Sequence, residues 1–171
     1  MNKAIFFDRD GVLNEIVERD GGYYSPKDFS QFKLVDEAIQ VTRYTRSKGF
    51  LNIVVSNQPD ISRRKLDKND LDLMTEQLFK KLDLDDVFYC THDDQNFCEC
   101  RKPLSGLFLK ASKKWNINFV DSYMIGDTWK DMEAAKKVNI DSFLLDRSYN
   151  AGYSWSQRIK DLTEVSQLIG K

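Results

Sequence analysis

Short apolar runs punctuate the chain: KAIFFD (3–8), FLNIVVS (50–56), VFYC (87–90), SYMIGD (122–127) and SFLLD (142–146). Each is strand-length and apolar throughout, the pattern of a strand buried on both faces. Between them apolar residues recur every three or four positions. Val35, Ala38, Ile39 and Thr42 mark one helix, which Gly49 closes. Leu71, Met74, Leu78 and Leu82 mark a second, with Asp67 or Asn69 as its N-cap. SGLFLKASKKW (105–115) and TWKDMEAAKKV (128–138) predict two more, and an amphipathic segment over about 155–169 predicts the last. Residues 12–33 show neither period and read as a loop, too short for a separate cap domain.

Strands alternating with helices predict an α/β fold: a Rossmann-like three-layer α/β/α sandwich around a mainly parallel sheet, one domain over 1–171. Ligands of such sheets bind beyond the carboxyl ends of the strands. Asp8, Ser56 and Asp127 end three strands, and Lys102 follows a fourth and its loop. These four residues, distant in sequence, are expected to converge on one rim.

Composition narrows the choice of partner. The 171 residues are 41% hydrophobic and 31% charged, and 26 basic against 27 acidic side chains leave a net charge of −1. That balance lacks the basic excess of a nucleic-acid binder. KAIFF is stopped by Asp8, too early for a signal peptide or a membrane span. The expected setting is a reducing cytoplasm and the expected state a monomer.

Asp8 and Asp10 lie two apart in extended backbone, so both carboxyls face one side with α-carbons on the order of 6–7 Å apart. A phosphorus centre between them could be attacked by one acid while the other protonates the departing oxygen. An acidic turn ending a strand is the simpler alternative. Asp127 with Asp8 offers the carboxylates that magnesium takes alongside phosphate and water. Asp131, one helical turn on, would orient Asp127 or Lys102, or merely suit the helix N-terminus. Ser56 and the amide of Asn57 could hold phosphoryl oxygens. Lys102 brings a compact charge and Arg101 a planar fork, while Pro59 should keep Gln58 extended.

All three cysteines and the sole histidine sit in one stretch, Cys90, His92, Cys98 and Cys100. C-x-H-x₅-C-x-C suits a tetrahedral zinc held by three thiolates and an imidazole. Four ligands leave no open position, so the site would be structural, a zinc loop at about 90–102 that aims Arg101 and Lys102. Buried apolar cysteines and a redox pair are the alternatives.

DRDGVLN, a strand ending in Ser56, CRKP and GDTWKD, in that order across most of the chain, resemble the motifs of the haloacid-dehalogenase superfamily of phosphatases. The resemblance implies Asp8 as the nucleophile that forms an aspartyl-phosphate and Asp10 as general acid, then base. It assigns Ser56 and Lys102 to the phosphoryl group, and Asp8, Asp127 and the Asp10 carbonyl to magnesium. The zinc loop ending in CRKP is similar to that of the subfamily holding heptose 1,7-bisphosphate and histidinol-phosphate phosphatases. The short gap from His92 to Cys98 looks like the latter; GGYYSPKDFSQF and SNQPDISR look like the former and are weighted above it. The expected substrate is accordingly a small phosphorylated sugar, with a phosphorylated amino-alcohol as rival and a catalytically idle zinc-stabilised binding module as the alternative of another class. Asn57, Gln58, Arg63 and Arg101 are expected at the substrate, Arg63 on a second phosphate. Pro59-Asp60 departs from the family's usual Ser-Gly. Tyr23 and Tyr24 could stack on substrate or pack under loops, and Tyr149, Tyr153 and Trp155 are expected to pack the last helix.

Overall fold

In the computed structural model, which describes residues 1–169, the expected alternation becomes β1 (Lys3–Phe7), a hairpin of β2 (Val17–Arg19) and β3 (Gly22–Tyr24), α1 (Asp36–Ser47) and β4 (Phe50–Asn57). Then follow α2 (Lys68–Lys81), β5 (Asp86–Cys90), α3 (Gly106–Trp115), β6 (Tyr123–Gly126), α4 (Trp129–Lys136), β7 (Asp141–Leu145), β8 (Arg158–Ile159) and α5 (Val165–Leu168). The last two positions of the predicted 1–171 unit lie outside the described residues.

Six strands pair in the order β5-β4-β1-β6-β7-β8, every neighbour parallel. The chain builds outward from β1 on one side, then returns to lay β6 on the other. That reversal opens a crevice beyond the carboxyl ends of β1 and β6. Successive strand residues serve opposite layers. Ile5, Phe7, Val54, Ile125 and Leu145 join one core cluster with residues of α1, α2 and α5. Ala4, Phe6, Ile53, Val55, Met124 and Leu144 join a second with residues of α3 and α4. The period-2 alternation thus makes three layers from one sheet.

Helix ends follow local chemistry. The Asp67 carboxylate caps α2 by accepting from the Asn69 amide, and Gly49 leaves α1 at φ +78°, where a side chain would be strained. Two expectations need correction. Residues 12–33 are not merely a loop: Val17 pairs with Tyr24 and Arg19 with Gly22 in an antiparallel hairpin, and a 3₁₀ turn spans Phe29–Gln31. The segment 155–169 is not one helix. Its start adds β8 to the open edge of β7, the Ile159 carbonyl accepting from the Asp146 amide at 2.8 Å. A 3₁₀ turn at Leu162–Glu164 and the single turn of α5 follow. Ile159, Leu162, Val165 and Ile169 are all buried, so the apolar spacing was meaningful. The free strand edge, invisible to local periodicity, decided the backbone.

No helix among the described residues is long and apolar enough to cross a membrane.

Candidate active site

Asp8 leaves the sheet one residue after β1, its amide donating to the Ile125 carbonyl of β6 at 2.9 Å. Gly11, at φ +86°, turns the chain. A Cβ there would overlap the Asp127 carboxylate and the Tyr149 hydroxyl, so only glycine lets these groups approach. Asp127 follows β6, and Asp131 lies in the first turn of α4. One oxygen from each of Asp8, Asp127 and Asp131 falls within 4.8 Å of the other two.

Lys102, only 2% exposed, joins them. Its Nζ lies 3.1 Å from Asp8 Oδ1 and donates to the Val55 carbonyl at 2.7 Å and to Asp131 Oδ1. Two of its protons go to Val55 and Asp131, and its charge lies against Asp8. Burial alone would lower the Lys102 pKa; Asp131 and Asp8 outweigh it and raise it. The acids respond oppositely. Burial, then Asp131, raises Asp8 to about 7. Burial, then repulsion from Asp8 and Asp131, holds Asp127 well above its ordinary value.

Three buried carboxylates against one ammonium leave an acidic excess that a divalent cation with oxygen ligands would relieve. Both Asp131 oxygens are occupied: Oδ1 by Lys102, Oδ2 by the amide and hydroxyl of Thr128. Asp127 Oδ1, by contrast, is buried without a partner. Asp8 and Asp127 are therefore the two carboxylates of the cluster suited to ligation, and the donor set fits magnesium.

Asp10 turns to a different set of partners. Its carboxylate accepts from Arg9 Nε at 2.9 Å, Arg9 Nη2 at 3.0 Å, Asn14 Nδ2 at 3.0 Å and Gln58 Nε2 at 2.8 Å. Burial would raise its pKa, but the charge of Arg9 together with the hydrogen bonds from Gln58, Asn14 and Arg9 outweighs burial and lowers it, so Asp10 rests as the carboxylate. Gln58, expected at the substrate, is buried and fully engaged. It donates also to Ser56 Oγ at 3.0 Å and accepts from Arg9 Nη2 at 3.1 Å. The Asn57 side chain is likewise committed, gripping the Lys102 backbone by two bonds of 2.9 and 3.0 Å.

Asp8, Asp10, Asn57, Gln58, Lys102 and Asp127 line a cleft of about 620 Å³ with Ser56, Tyr23, Tyr24, Tyr149, Lys27, Arg63, Lys65, Arg101 and Lys130. Arg63 pairs with Asp93 at 2.5 Å and with Asp60 at 3.6 Å, while Arg101 Nε donates to Asp94 at 2.6 Å. Both guanidinium groups thus reach the rim already anchored to carboxylates. A separate hollow between Asp146 and Arg158 holds charged groups bound to one another and to backbone, and it gathers no comparable cluster.

The Cys-His stretch forms the second candidate metal centre. Cys90 ends β5, a 3₁₀ turn at Asp94–Asn96 carries the chain outward, and Cys98 and Cys100 bring it back. Sγ of Cys90 lies 3.7 Å from Cys98 Sγ and 3.1 Å from Cys100 Sγ; His92 Nδ1 lies 3.6 Å from Cys90 Sγ and 3.3 Å from Cys100 Sγ. A tetrahedron with zinc–sulfur arms of about 2.3 Å has edges of roughly 3.7 Å, close to this spacing. No disulfide links them. Burial pushes Cys90 up to about 12. At Cys98 burial also raises the value, but amide donors of Arg101 and Cys100 outweigh it and lower the thiol to about 7. The set can hold a metal ion.

Sequence reasoning missed two participants. Arg9, fully buried between two acids of one motif, was legible there as an internal counter-charge. Tyr149 does not pack the last helix: its hydroxyl donates to Asp127 Oδ2 and its ring meets Tyr23 at 4.8 Å. No pattern in its neighbourhood signals that role. Nor do Tyr153 and Trp155 pack the last helix: they stack on each other at 6.2 Å and lie against the second core cluster, whereas α5 joins the first.

A family model described as haloacid dehalogenase-like hydrolase matches residues 16–139. The chain is 35% identical to the D-glycero-beta-D-manno-heptose-1,7-bisphosphate 7-phosphatase of Helicobacter pylori over 176 aligned residues, covering 98% of each. It is also 35% identical to the Escherichia coli K12 enzyme of that name, over 85% of this chain and 79% of that one. Among solved structures, the D,D-heptose 1,7-bisphosphate phosphatase of B. bronchiseptica, complexed with magnesium and phosphate, superposes with a TM-score of 0.82 at 22% identity, over 97% of both chains.

Proposed function

Since this chain belongs to the haloacid dehalogenase-like hydrolase family, we propose that it is a magnesium-dependent phosphomonoesterase that removes one phosphate from D-glycero-D-manno-heptose 1,7-bisphosphate. The observation that carries the reaction is the Asp8 carboxylate opening into the cleft beside Lys102 and Asp127. Full-length similarity to heptose bisphosphate phosphatases supports the substrate.

Asp8 attacks phosphorus in line, forming an aspartyl-phosphate while the bond from phosphorus to the sugar oxygen breaks. Asp10, a carboxylate in the empty site, takes up a proton from solvent as the phosphate dianion binds and gives it to that oxygen. It then takes a proton from the water that attacks the phospho-aspartate, which releases phosphate and restores Asp8. Arg9, Asn14 and Gln58 hold Asp10 as a carboxylate at rest, the form the second half requires. An incoming phosphate dianion raises proton affinity beside it, which serves the first half. Lys102, the Ser56 hydroxyl and the Asn57 amide meet the phosphoryl oxygens. Asp8, Asp127 and the Asp10 carbonyl would hold magnesium, whose charge offsets that of the transferring group. Arg63 and Arg101 stand at the rim for the second phosphate, with Lys65 and Lys130 beside the same cleft.

The Cys90, His92, Cys98, Cys100 set is read as a structural zinc site within a single domain over 1–171. Its ligand spacing supports this, and the loop would aim Arg101 and Lys102. The enzyme would work as a cytoplasmic monomer on a small sugar phosphate. The deciding measurement is phosphate release with magnesium from heptose 1,7-bisphosphate and from histidinol phosphate, compared as kcat/KM. The heptose substrate is expected to win clearly. A preference for histidinol phosphate would replace the substrate, and no release from any sugar or amino-alcohol phosphate would favour the idle binding module.

A further inference from the structure

We infer that Tyr149 is a positioning residue for the cation: its hydroxyl holds one oxygen of Asp127 so that the other faces the metal. This rests on the magnesium site proposed above and goes beyond it by assigning a residue outside the four motifs.

Tyr149 Oη donates to Asp127 Oδ2, and Asp127 Oδ1 is left buried without a partner. A carboxylate bonded at one oxygen cannot rotate freely about its terminal torsion, so the free oxygen keeps a single direction. Asp127 contributes one oxygen to the cluster with Asp8 and Asp131.

The segment carrying Tyr149 is fastened to the same residue by its backbone. Asn150 Nδ2 donates to the Asp127 carbonyl at 2.7 Å and to the Leu145 carbonyl at 2.8 Å. Arg158 Nη2 in turn donates to Asn150 Oδ1 at 2.8 Å. One 3₁₀ turn, Ser148–Asn150, therefore grips both the main chain and the side chain of Asp127. A second tie runs to the turn that follows Asp10: Arg147 Nε and Nη2 donate to the Gly11 carbonyl at 3.0 and 2.8 Å. Gly11 itself leaves room for the pair, since a Cβ there would collide with both groups. On the outer side the Tyr149 ring meets Tyr23 of the hairpin, and Ser148 Oγ donates to Tyr23 Oη at 2.9 Å. Mere packing would need none of the polar contacts. Two of them fall on Asp127, one on its carboxylate and one on its carbonyl, and partners that orient a ligand typically govern metal affinity by 10–100-fold.

The test uses the full chain with its thiolate loop intact, no substrate, and Mn²⁺ as probe, free ion being followed by electron paramagnetic resonance. Asp127→Asn identifies the part of the titration that belongs to this site. Tyr149→Phe, which keeps the ring and removes the hydroxyl, is expected to weaken Mn²⁺ binding about tenfold. The magnesium needed for half-maximal turnover should rise in parallel, with the KM for sugar phosphate unchanged at saturating magnesium. Ser148→Ala, which keeps the Tyr149 hydroxyl, is expected to bind Mn²⁺ as the unaltered chain does. Unchanged or tighter binding by Tyr149→Phe overturns the inference alone. So does a loss in Ser148→Ala equal to that in Tyr149→Phe, because the loop rather than the hydroxyl would then be responsible. If the unaltered chain binds no Mn²⁺ at this site, the magnesium reading falls and this inference with it.

Discussion

The two candidate metal centres are built in opposite ways. The carboxylate cluster draws Asp8, Asp127 and Asp131 from two strand ends and a helix start, with Lys102 brought in from a loop. The Cys-His set draws all four ligands from eleven consecutive residues. Hard oxygen ligands in mutual repulsion, one left unpartnered, suit an ion that shares its shell with phosphate and water. Soft ligands that complete a tetrahedron suit an ion with no open position. The first centre is suited to chemistry and the second to holding a loop. They meet at Arg101 and Lys102, where the loop of one delivers the counter-charge of the other.

The sharpest break between them is Asp8→Asn. Loss of the proposed nucleophile should lower kcat on the order of 10⁴-fold or more while the zinc proposed for the loop stays at one equivalent. Turnover within about tenfold of the unaltered enzyme would remove Asp8 from that role.

Next in size is Cys98→Ser. It should release the zinc proposed for that loop and cost several kcal/mol, on the order expected for a structural site, read as a lower Tm and as faster hydrogen exchange at 90–102. Activity should fall because Arg101 and Lys102 lose their placement, yet Mn²⁺ should still bind at Asp8 and Asp127. A variant as stable and active as the original would show that no metal organises the loop.

The smallest effect is the most diagnostic of the carboxylates. Asp8 titrates at about 7 in the folded chain against an ordinary 3.8. Between those values the magnesium-free fold keeps a proton that the unfolded chain has released, so stability falls as pH rises through that interval. Asp127 acts in the same direction. Asp10 is shifted downward, so its stabilising contribution is already complete above 3.8 and does not oppose the slope. The magnesium-free Tm should therefore drop by several degrees across this window, at about 2–4 °C per kcal/mol. Added magnesium should raise the Tm more at the upper end than at the lower. A flat profile would mean that the acids do not repel one another as their geometry implies.

How much of this could be read in advance depended on distance along the chain. Five strands, the helices α1 to α4 and the Cys-His set carry their signals within a few residues, as apolar runs, helical spacing or ligand spacing, and so they were legible, although β5, expected to be buried, lies half-buried at the sheet edge except at Cys90. The convergence of Asp8, Ser56, Lys102 and Asp127 was legible because parallel sheets gather strand ends on one rim. What the sequence could not supply was partner choice among groups already in the cleft. Gln58 and Asn57 are polar residues in the expected place, but three-dimensional proximity gave Gln58 to Asp10 and Ser56, and Asn57 to the Lys102 backbone. Arg63 and Arg101 likewise found Asp93 and Asp94.

By itself, then, the sequence determined the layered sheet, the closeness of the Cys-His residues and the order in which the motifs reach the rim, because each depends on local period, short spacing or a rule of strand connection. Only the tertiary structure decided that 158–159 would extend the sheet instead of starting a helix, and that Tyr149 would clasp Asp127. Both were settled by unsatisfied groups elsewhere in the fold, a bare edge on β7 and a buried carboxylate. Their need for a hydrogen-bond partner leaves no mark on the residues that answer it.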